Sequence, residues 1–242
     1  MRPRILLSPL KRGTTTLHQP ASHHLIRVLR MRAGEDLVVF DGMGNEAAAT
    51  ITAIDRETVV LKVDELAKID RESPQSVTVL QALCSGDKMD WVVEKCTELG
   101  AQRIVPIAAA RSLLKLTGER AQKRQAHWQR IAEAASAQCG RTFVPGVMPV
   151  MSFAQAIADW ASAPAPKTGW LLDPFSDQPL SAAVIAGAVT LMIGPEAGWT
   201  DEEESLARKA GFTAIQIGPR ILRTETAAAA VLAGIAIKCK EF

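Results

Sequence analysis

Two copies of Ile-Gly-Pro, each followed by a charged residue, are the best candidates for chemistry in this chain: Ile193-Gly194-Pro195-Glu196 and Ile217-Gly218-Pro219-Arg220. Each ends an apolar run of strand type, Thr190-Leu191-Met192-Ile193 and Ala214-Ile215-Gln216-Ile217. A third such run, Trp170-Leu171-Leu172, ends in Asp173-Pro174. In an open α/β sheet, ligands sit outside the carboxyl ends of the strands. Glycine lets the backbone approach a ligand closely, and proline holds a loop's shape without offering a donor. The two Gly-Pro loops read as two walls of one pocket, with Glu196 and Arg220 as its charged elements. The alternative is a pair of tight turns that hold no ligand.

Both loops run on into residues of interest. The first continues as Ala197-Gly198-Trp199 and the second as Ile221-Leu222-Arg223-Thr224-Glu225. Arg220 and Arg223 are candidate contacts for an anionic substrate, and Glu225 is a carboxylate close to them in sequence. Arg223-Thr224-Glu225 reads equally as a helix start, with Thr224 as cap and Glu225 on the positive end of the dipole.

Loops of this kind need strands to present them and helices to cover the sheet. After residue 75 the sequence alternates between the two. Val77-Thr78-Val79-Leu80 and Ile104-Val105-Pro106-Ile107 read as strands. Between them Met89, Val92, Val93, Cys96 and Leu99 follow helical spacing, and Gly100 stands where a helix ends. A long helix is expected over Ala121 to Gln138. Thr200-Asp201-Glu202-Glu203 is a capping box that opens another, and an Ala-rich last helix starts near Glu225. This alternation predicts an α/β domain with a mainly parallel sheet. Residues 36–63 differ in style. Leu37–Phe40, Thr50–Ile54 and Thr58–Leu61 are short β-rich runs joined by turns, which predicts a small antiparallel sheet or barrel. The polar stretch from Asp64 to Gln75 then reads as a linker.

Charge is unevenly spread. The net charge is only +2, yet residues 1–34 hold seven arginines and lysines and no acidic side chain, leaving the rest acidic on balance. A second basic stretch runs from Arg103 to Arg141. Two positive segments suit a polyanion, although solvated faces would give the same count. The four cysteines are scattered with no CxxC pair, and His23-His24 has no second ligand pair, so neither a metal site nor a disulfide framework is expected. The basic start has an apolar stretch too short for a secretory signal, and no run reaches the length of a membrane span. Gly42-Met43-Gly44-Asn45-Glu46-Ala47 mimics a dinucleotide fingerprint, but a β pattern resumes at Thr50 where a helix should open, so a hairpin turn is expected.

The strings Gly194-Pro195-Glu196-Ala197-Gly198-Trp199-Thr200 and Gly218-Pro219-Arg220-Ile221-Leu222-Arg223-Thr224-Glu225-Thr226-Ala227 resemble the C-terminal motifs of the RsmE-type 16S ribosomal RNA uridine N3 methyltransferases. Gly86-Asp87-Lys88-Met89-Asp90 running into Glu94–Gly100 is similar to that family's first helix motif. Gln138-Cys139-Gly140-Arg141 and, near the front, His24 with Arg27-Val28-Leu29-Arg30 also fit. The resemblance covers nearly the whole chain in order. One departure is Ala197, where the family usually has the second glycine of a Gly-Gly pair. Alanine is tolerable there unless the loop needs a positive φ.

The resemblance implies an α/β protein of two domains. Residues 1–72 would form a PUA- or OB-like RNA-binding β-barrel, and residues 73–242 a SPOUT-type methyltransferase domain with a parallel sheet and a trefoil knot. It implies S-adenosyl-L-methionine as cofactor, held by Leu172, Gly194, Glu196, Gly198, Ile217, Gly218, Pro219, Ile221 and Leu222. It further implies 16S rRNA or the small ribosomal subunit as substrate, a homodimer, and a cytoplasmic location with no membrane or metal partner. Arg220, Arg223 and Glu225 are the catalytic candidates, and Arg4, Arg27, Arg30, Arg32 and Arg141 the RNA contacts, as phosphate anchors before base readers. A related SPOUT enzyme acting on another base or a ribose 2′-hydroxyl, and a non-catalytic ribosome-assembly factor, are the alternatives.

Overall fold

The computed structural model describes residues 2–241. The chain divides into two units: one takes the chain up to Glu72 together with Ser136–Val144, the other Ser73–Ala135 and the chain from Pro145 on.

In the first unit the β-rich runs pair as their alternation demands. The strands are β1 (Arg4–Leu6), β2 (Gly13–Leu17), β3 (Asp36–Phe40), β4 (Asn45–Ile54), β5 (Val59–Val63) and β6 (Ala67–Lys68). They form one sheet in the order β1-β3-β4-β5-β2, with β6 against β4; β1 and β3 are parallel and the other pairs antiparallel. Alternate residues of β5 (Val59, Leu61, Val63) turn inward and meet Leu37, Val39, Ile51 and Leu25 in the core. Between β2 and β3 a short helix, α1 (Ala21–His23), runs into a π-helical turn, His24–Val28.

The Gly42–Ala47 string is a hairpin turn, as expected. Gly42 and Gly44 take φ of +76° and +106°, and the Asp41 carboxylate accepts the backbone N–H of both Met43 and Asn45. β1 and β2 were not legible: β1 is three residues long, and the Thr-rich β2 turns only Leu17 fully inward. The expected linker also carries structure, since β6 pairs Ala67 and Lys68 with Glu46 and Asn45.

Ser136–Val144 belongs with this unit and not, as the sequence suggested, with the second. The reason is a set of specific contacts: Thr142 donates its hydroxyl to Ile69 O at 2.6 Å, Arg141 pairs with Glu72, and Phe143 bridges Gly42 and Met43.

The second unit is a seven-stranded sheet in which every pairing is parallel. Its strands are β7 (Val77–Ala82), β8 (Arg103–Ala108), β9 (Gly146–Val147), β10 (Met151–Ser152), β11 (Lys167–Leu172), β12 (Ala188–Ile193) and β13 (Phe212–Ile215). The order is β10-β8-β7-β12-β11-β13, with β9 against β8. The central strands are buried on both faces, which is why they read as continuous apolar runs. The helices are α2 (Lys88–Glu98), α3 (Gly118–Cys139), α4 (Phe153–Ser162), α5 (Asp201–Lys209) and α6 (Thr224–Lys238), of which the last turn of α3 falls in the first unit. α2 buries Met89, Val92, Val93 and Cys96, the stripe its spacing predicted.

α4 was missed, although Ser152 and Gln155 form the capping box that opens it. Thr200 and Glu203 form the expected one on α5. At α6 the N-cap is Arg223 with no side-chain cap bond, and Thr224 is already helical. Thr224 is therefore not the cap; its hydroxyl is used elsewhere, as described below. Among the described residues no helix is long and apolar enough to cross a membrane, and no group of three His, Cys, Asp or Glu is arranged to hold a metal ion.

Candidate active site

Strands β12, β11 and β13 lie side by side, so the loops at their carboxyl ends converge. They line a cleft of about 660 Å³, within the usual size of a small-molecule site. Leu172 and Ile217 supply apolar wall from two strand ends, and Ile221 and Leu222 add to it from the second Gly-Pro loop. Gly194, Glu196 and Gly198 stand on the first loop's side, and Gly218, Arg220 and Arg223 on the second. Of the cofactor and catalytic candidates, only Pro219 and Glu225 do not line it.

The loop glycines have local reasons. Gly218 has φ +130°, and a Cβ built there would meet nothing within 4 Å. The position thus needs glycine for its backbone and leaves open space that a ligand can fill. In the first loop the left-handed φ falls on Gly198, at +71°, while Ala197 is not among the residues with positive φ. The departure at Ala197 therefore costs that loop no strain. A Cβ on Gly194 would come within 3.2 Å of the Trp199 indole, which packs edge-on against Phe153 at 5.4 Å.

Side chains from elsewhere hold this loop. Arg111, in the basic stretch between β8 and α3, donates to Trp199 O at 2.7 Å and Ala197 O at 3.3 Å. Glu203 accepts the backbone N–H of Ala110 and of Thr200. Glu196 is tied to the loop that follows β7: its Oε1 accepts Ser85 N–H at 3.1 Å, the Ser85 hydroxyl at 2.9 Å and the Lys88 ammonium at 2.9 Å. The same ammonium lies 3.7 Å from Glu225 Oε2. That carboxylate oxygen is buried and makes no hydrogen bond within the described residues.

These contacts set the electrostatics. Burial pushes the Glu196 carboxyl up, but the bonds from Lys88 and Ser85 outweigh it and hold it down at about 2. The Lys88 ammonium is pushed up in turn, chiefly by its bond to Glu196. Burial, with the charges of Glu196 and Glu225 behind it, pushes the Cys84 thiol up to about 12, so Cys84 is not a nucleophile. Also lining the cleft, Glu204 is raised by burial and by Asp173, which pairs with Arg208 at 3.4 Å. Arg220 and Arg223 sit on the cleft wall, both exposed. Lys88 and Arg111 carry no role that their sequence context assigns; the first lies in a motif without a function of its own, the second in a charge count.

The arginines assigned to RNA separate sharply. Arg4 and Arg141 have side chains only 8% and 6% exposed. Arg4 pairs with Glu46 at 2.7 Å, donates to Arg141 O and lies over the Phe40 ring, and Arg141 pairs with Glu72. Both were expected to anchor phosphates, and a guanidinium sealed against a carboxylate has little capacity left for one. Arg27 and Arg30 are exposed at and just after the π-helical turn, and Arg32 follows them. Arg30 adopts φ +54°, rare for a side chain with a Cβ.

Comparison with known proteins agrees with this layout. An RNA methyltransferase domain model matches residues 71–236, and an RNA methyltransferase PUA domain model matches residues 19–64. The ribosomal RNA small subunit methyltransferase E of Bacillus subtilis is 35% identical, across 88% of this chain and 86% of the relative. That of Synechocystis is 34% identical, across 96% of this chain and 76% of the relative. Among solved structures, the ribosomal RNA small subunit methyltransferase E of Neisseria gonorrhoeae bound to S-adenosyl methionine superposes with a TM-score of 0.90 at 34% identity, over 98% of each chain. A putative methyltransferase of Legionella pneumophila with the same cofactor gives 0.91 at 32%, again over 98% of each. With its parallel sheet, its loop-lined cleft and these matches along nearly its full length, the chain belongs to the ribosomal RNA small subunit methyltransferase E family.

Proposed function

We propose that this chain transfers a methyl group from S-adenosyl-L-methionine to N3 of a uridine in the 16S RNA of the small ribosomal subunit. The observation that carries the reading is the convergence of three strand-end loops on one cleft, with Gly218 leaving space beside it. The cleft fits the cofactor: Leu172, Ile217, Ile221 and Leu222 can cover an adenine, and backbone groups at Gly194, Gly198 and Gly218 can read its edge. Pro219 keeps the second loop in shape and Glu196 fixes the first.

When bound, S-adenosylmethionine supplies an electrophilic methyl on a sulfonium. The rest falls to the protein and the RNA. N3 lies on the Watson–Crick edge of uracil, so the base must be unpaired or turned out of a helix to reach the cleft. The N3 proton must leave, negative charge develops on the ring as it does, and that charge is neutralised as N3 takes the methyl and the S–CH3 bond breaks. Arg220 and Arg223 line the cleft, and in this reading they stabilise that charge or hold flanking phosphates. Glu225 stands off the wall beside Lys88, so its part in this reading is to position that ammonium. The catalytic residues assigned from sequence thus narrow to the two arginines, with water at the cleft mouth taking the proton.

Arg27, Arg30 and Arg32 serve as phosphate anchors on the PUA domain. A homodimer is part of the same reading: Ile221 at the cleft and Ile237 near the end of α6 stay 71% and 65% exposed, apolar surface that a second copy can cover. The trefoil threading and the cytoplasmic location implied by the resemblance belong to it as well. The test is to incubate the protein and methyl-labelled cofactor with small ribosomal subunits lacking the modification, and with naked 16S RNA, then map the product by mass spectrometry. Label on uracil N3 supports the reading. Label on another atom moves the chain to a different RNA specificity, and no label with either substrate favours an assembly factor.

A further inference from the structure

We propose that Lys88 and Ser85 are positioning residues for the cofactor loop, acting on the bound cofactor through Glu196, whose Oε1 anchors the loop. The inference rests on the reading of the cleft as the S-adenosylmethionine site.

Three donors converge on a single oxygen, Glu196 Oε1, at 2.9 to 3.1 Å. An oxygen so occupied has little capacity left for a ligand donor. All three donors come from the loop that follows β7 and the start of α2, while Glu196 follows β12, the strand paired with β7. The contact therefore bolts together the loops of two adjacent strands. Lys88 extends the bolt to a third segment: its ammonium lies within 3.7 Å of Glu225, in the first turn of α6, the helix that ends the second Gly-Pro loop. The α2 stripe of Met89, Val92, Val93 and Cys96 is buried, which fixes where Lys88 starts from.

The consequence is energetic. Ordering a loop's backbone costs conformational entropy, and a loop ordered before binding spares the ligand that cost. Arg111 holds the far half of the loop by its carbonyls. Glu196 and its donors hold the half nearest the strand. Without them the free loop samples other conformations and cofactor affinity falls.

The experiment uses the full-length protein with S-adenosylmethionine as probe. Calorimetry gives its Kd for wild type, Lys88→Met, Lys88→Arg, Glu196→Gln and the Lys88→Met/Glu196→Gln double variant. Amide hydrogen exchange follows residues 194–200 in the cofactor-free state. Lys88→Met is expected to raise Kd about tenfold and to speed exchange in that loop, and Lys88→Arg to restore both. The double variant should stay within about threefold of Glu196→Gln, because both changes break one bolt. Unchanged cofactor affinity in Lys88→Met overturns the proposal, and so do fully additive effects, which would mean that Lys88 touches the ligand directly. If Lys88→Met does not fold, Ser85→Ala removes the hydroxyl donor at no change of charge; wild-type affinity and exchange there overturn the proposal equally. Failure of wild type itself to bind the cofactor is a separate result, which removes the reading of the cleft.

Discussion

Thr224 donates its hydroxyl hydrogen to the carbonyl oxygen of Gly194 at 2.6 Å while accepting the side-chain N–H of Gln81 at 2.9 Å. Gln81 is fully buried on β7, and Thr224 is 8% exposed. This chain of bonds runs from the middle of the sheet, through the first turn of α6, to the first glycine of the cofactor loop. Replacing Thr224 by Val keeps the shape but leaves the Gln81 amide and the Gly194 carbonyl each short of a partner, a loss of about 1–3 kcal/mol. Thr224→Val should lower the unfolding free energy by that order and weaken S-adenosylmethionine binding. Thr224→Ser should recover most of both. Denaturant melts and calorimetry of the two variants decide it, and equal stability of Val and wild type would show that the hydroxyl is idle.

Gly218 makes a different demand. Its φ of +130° is expensive for any residue with a Cβ, on the order of 1–3 kcal/mol. No protein atom lies within 4 Å of where that Cβ would sit, so Gly218→Val should cost stability only through this strain. Its larger effect should fall on the cofactor, for which the space is open. Calorimetric titration should find saturable binding in wild type and none measurable in the variant. Gly194→Val strikes protein first, because its Cβ meets the Trp199 indole at 3.2 Å, and should lose stability and cofactor together.

How far such positions are legible in the sequence depends on the kind of signal. Gly-Pro at the end of an apolar run is local, so the cleft and most of its lining can be read from residue order alone. Lys88 and Glu196 are 108 residues apart, and no spacing rule joins a lysine to a glutamate at that distance. Charge counting fails in the same way at Arg4 and Arg141. A tally of arginines cannot separate one sealed against Glu46 or Glu72 from one in solvent, and only the fold brings those carboxylates in. α4 is the opposite case, since the Ser152–Gln155 capping box is a local signal that stands in the sequence and was missed.

The division among the arginines gives a paired prediction about RNA. Arg27 and Arg30 are exposed. Changing both to Ala should leave the melting temperature nearly unchanged, weaken 16S RNA binding, and reduce the salt slope of log Kd by up to about 2, roughly one for each phosphate no longer neutralised. Arg4→Ala should do the reverse. It leaves Glu46 with Arg71 as its remaining ion-pair partner, so stability should fall by less than the about 3 kcal/mol that an unpaired buried charge costs, while the salt slope holds. A salt slope that flattens in Arg4→Ala and not in the double variant would move the RNA face elsewhere.

Glu46 also sets an acid limit on the first unit. Its hydrogen bond to Arg71 pulls the carboxyl down, burial opposes this, and Arg4 adds to the pull; the net result is about 2 against an ordinary 4.5. A carboxyl depressed in the folded state stabilises fully above its unfolded value and ceases to do so as pH falls through the folded one. The contribution of Glu46 should therefore be whole at pH 7 and nearly so at pH 5, then disappear progressively between about 4.5 and 2. Comparing denaturant midpoints of wild type and Glu46→Gln checks this: the gap between them should be nearly constant from about pH 7 to 5 and close below that. A gap that does not change with pH would mean that the ion pair does not govern the acid sensitivity of this unit, and that Glu46 matters for its hydrogen-bond geometry alone.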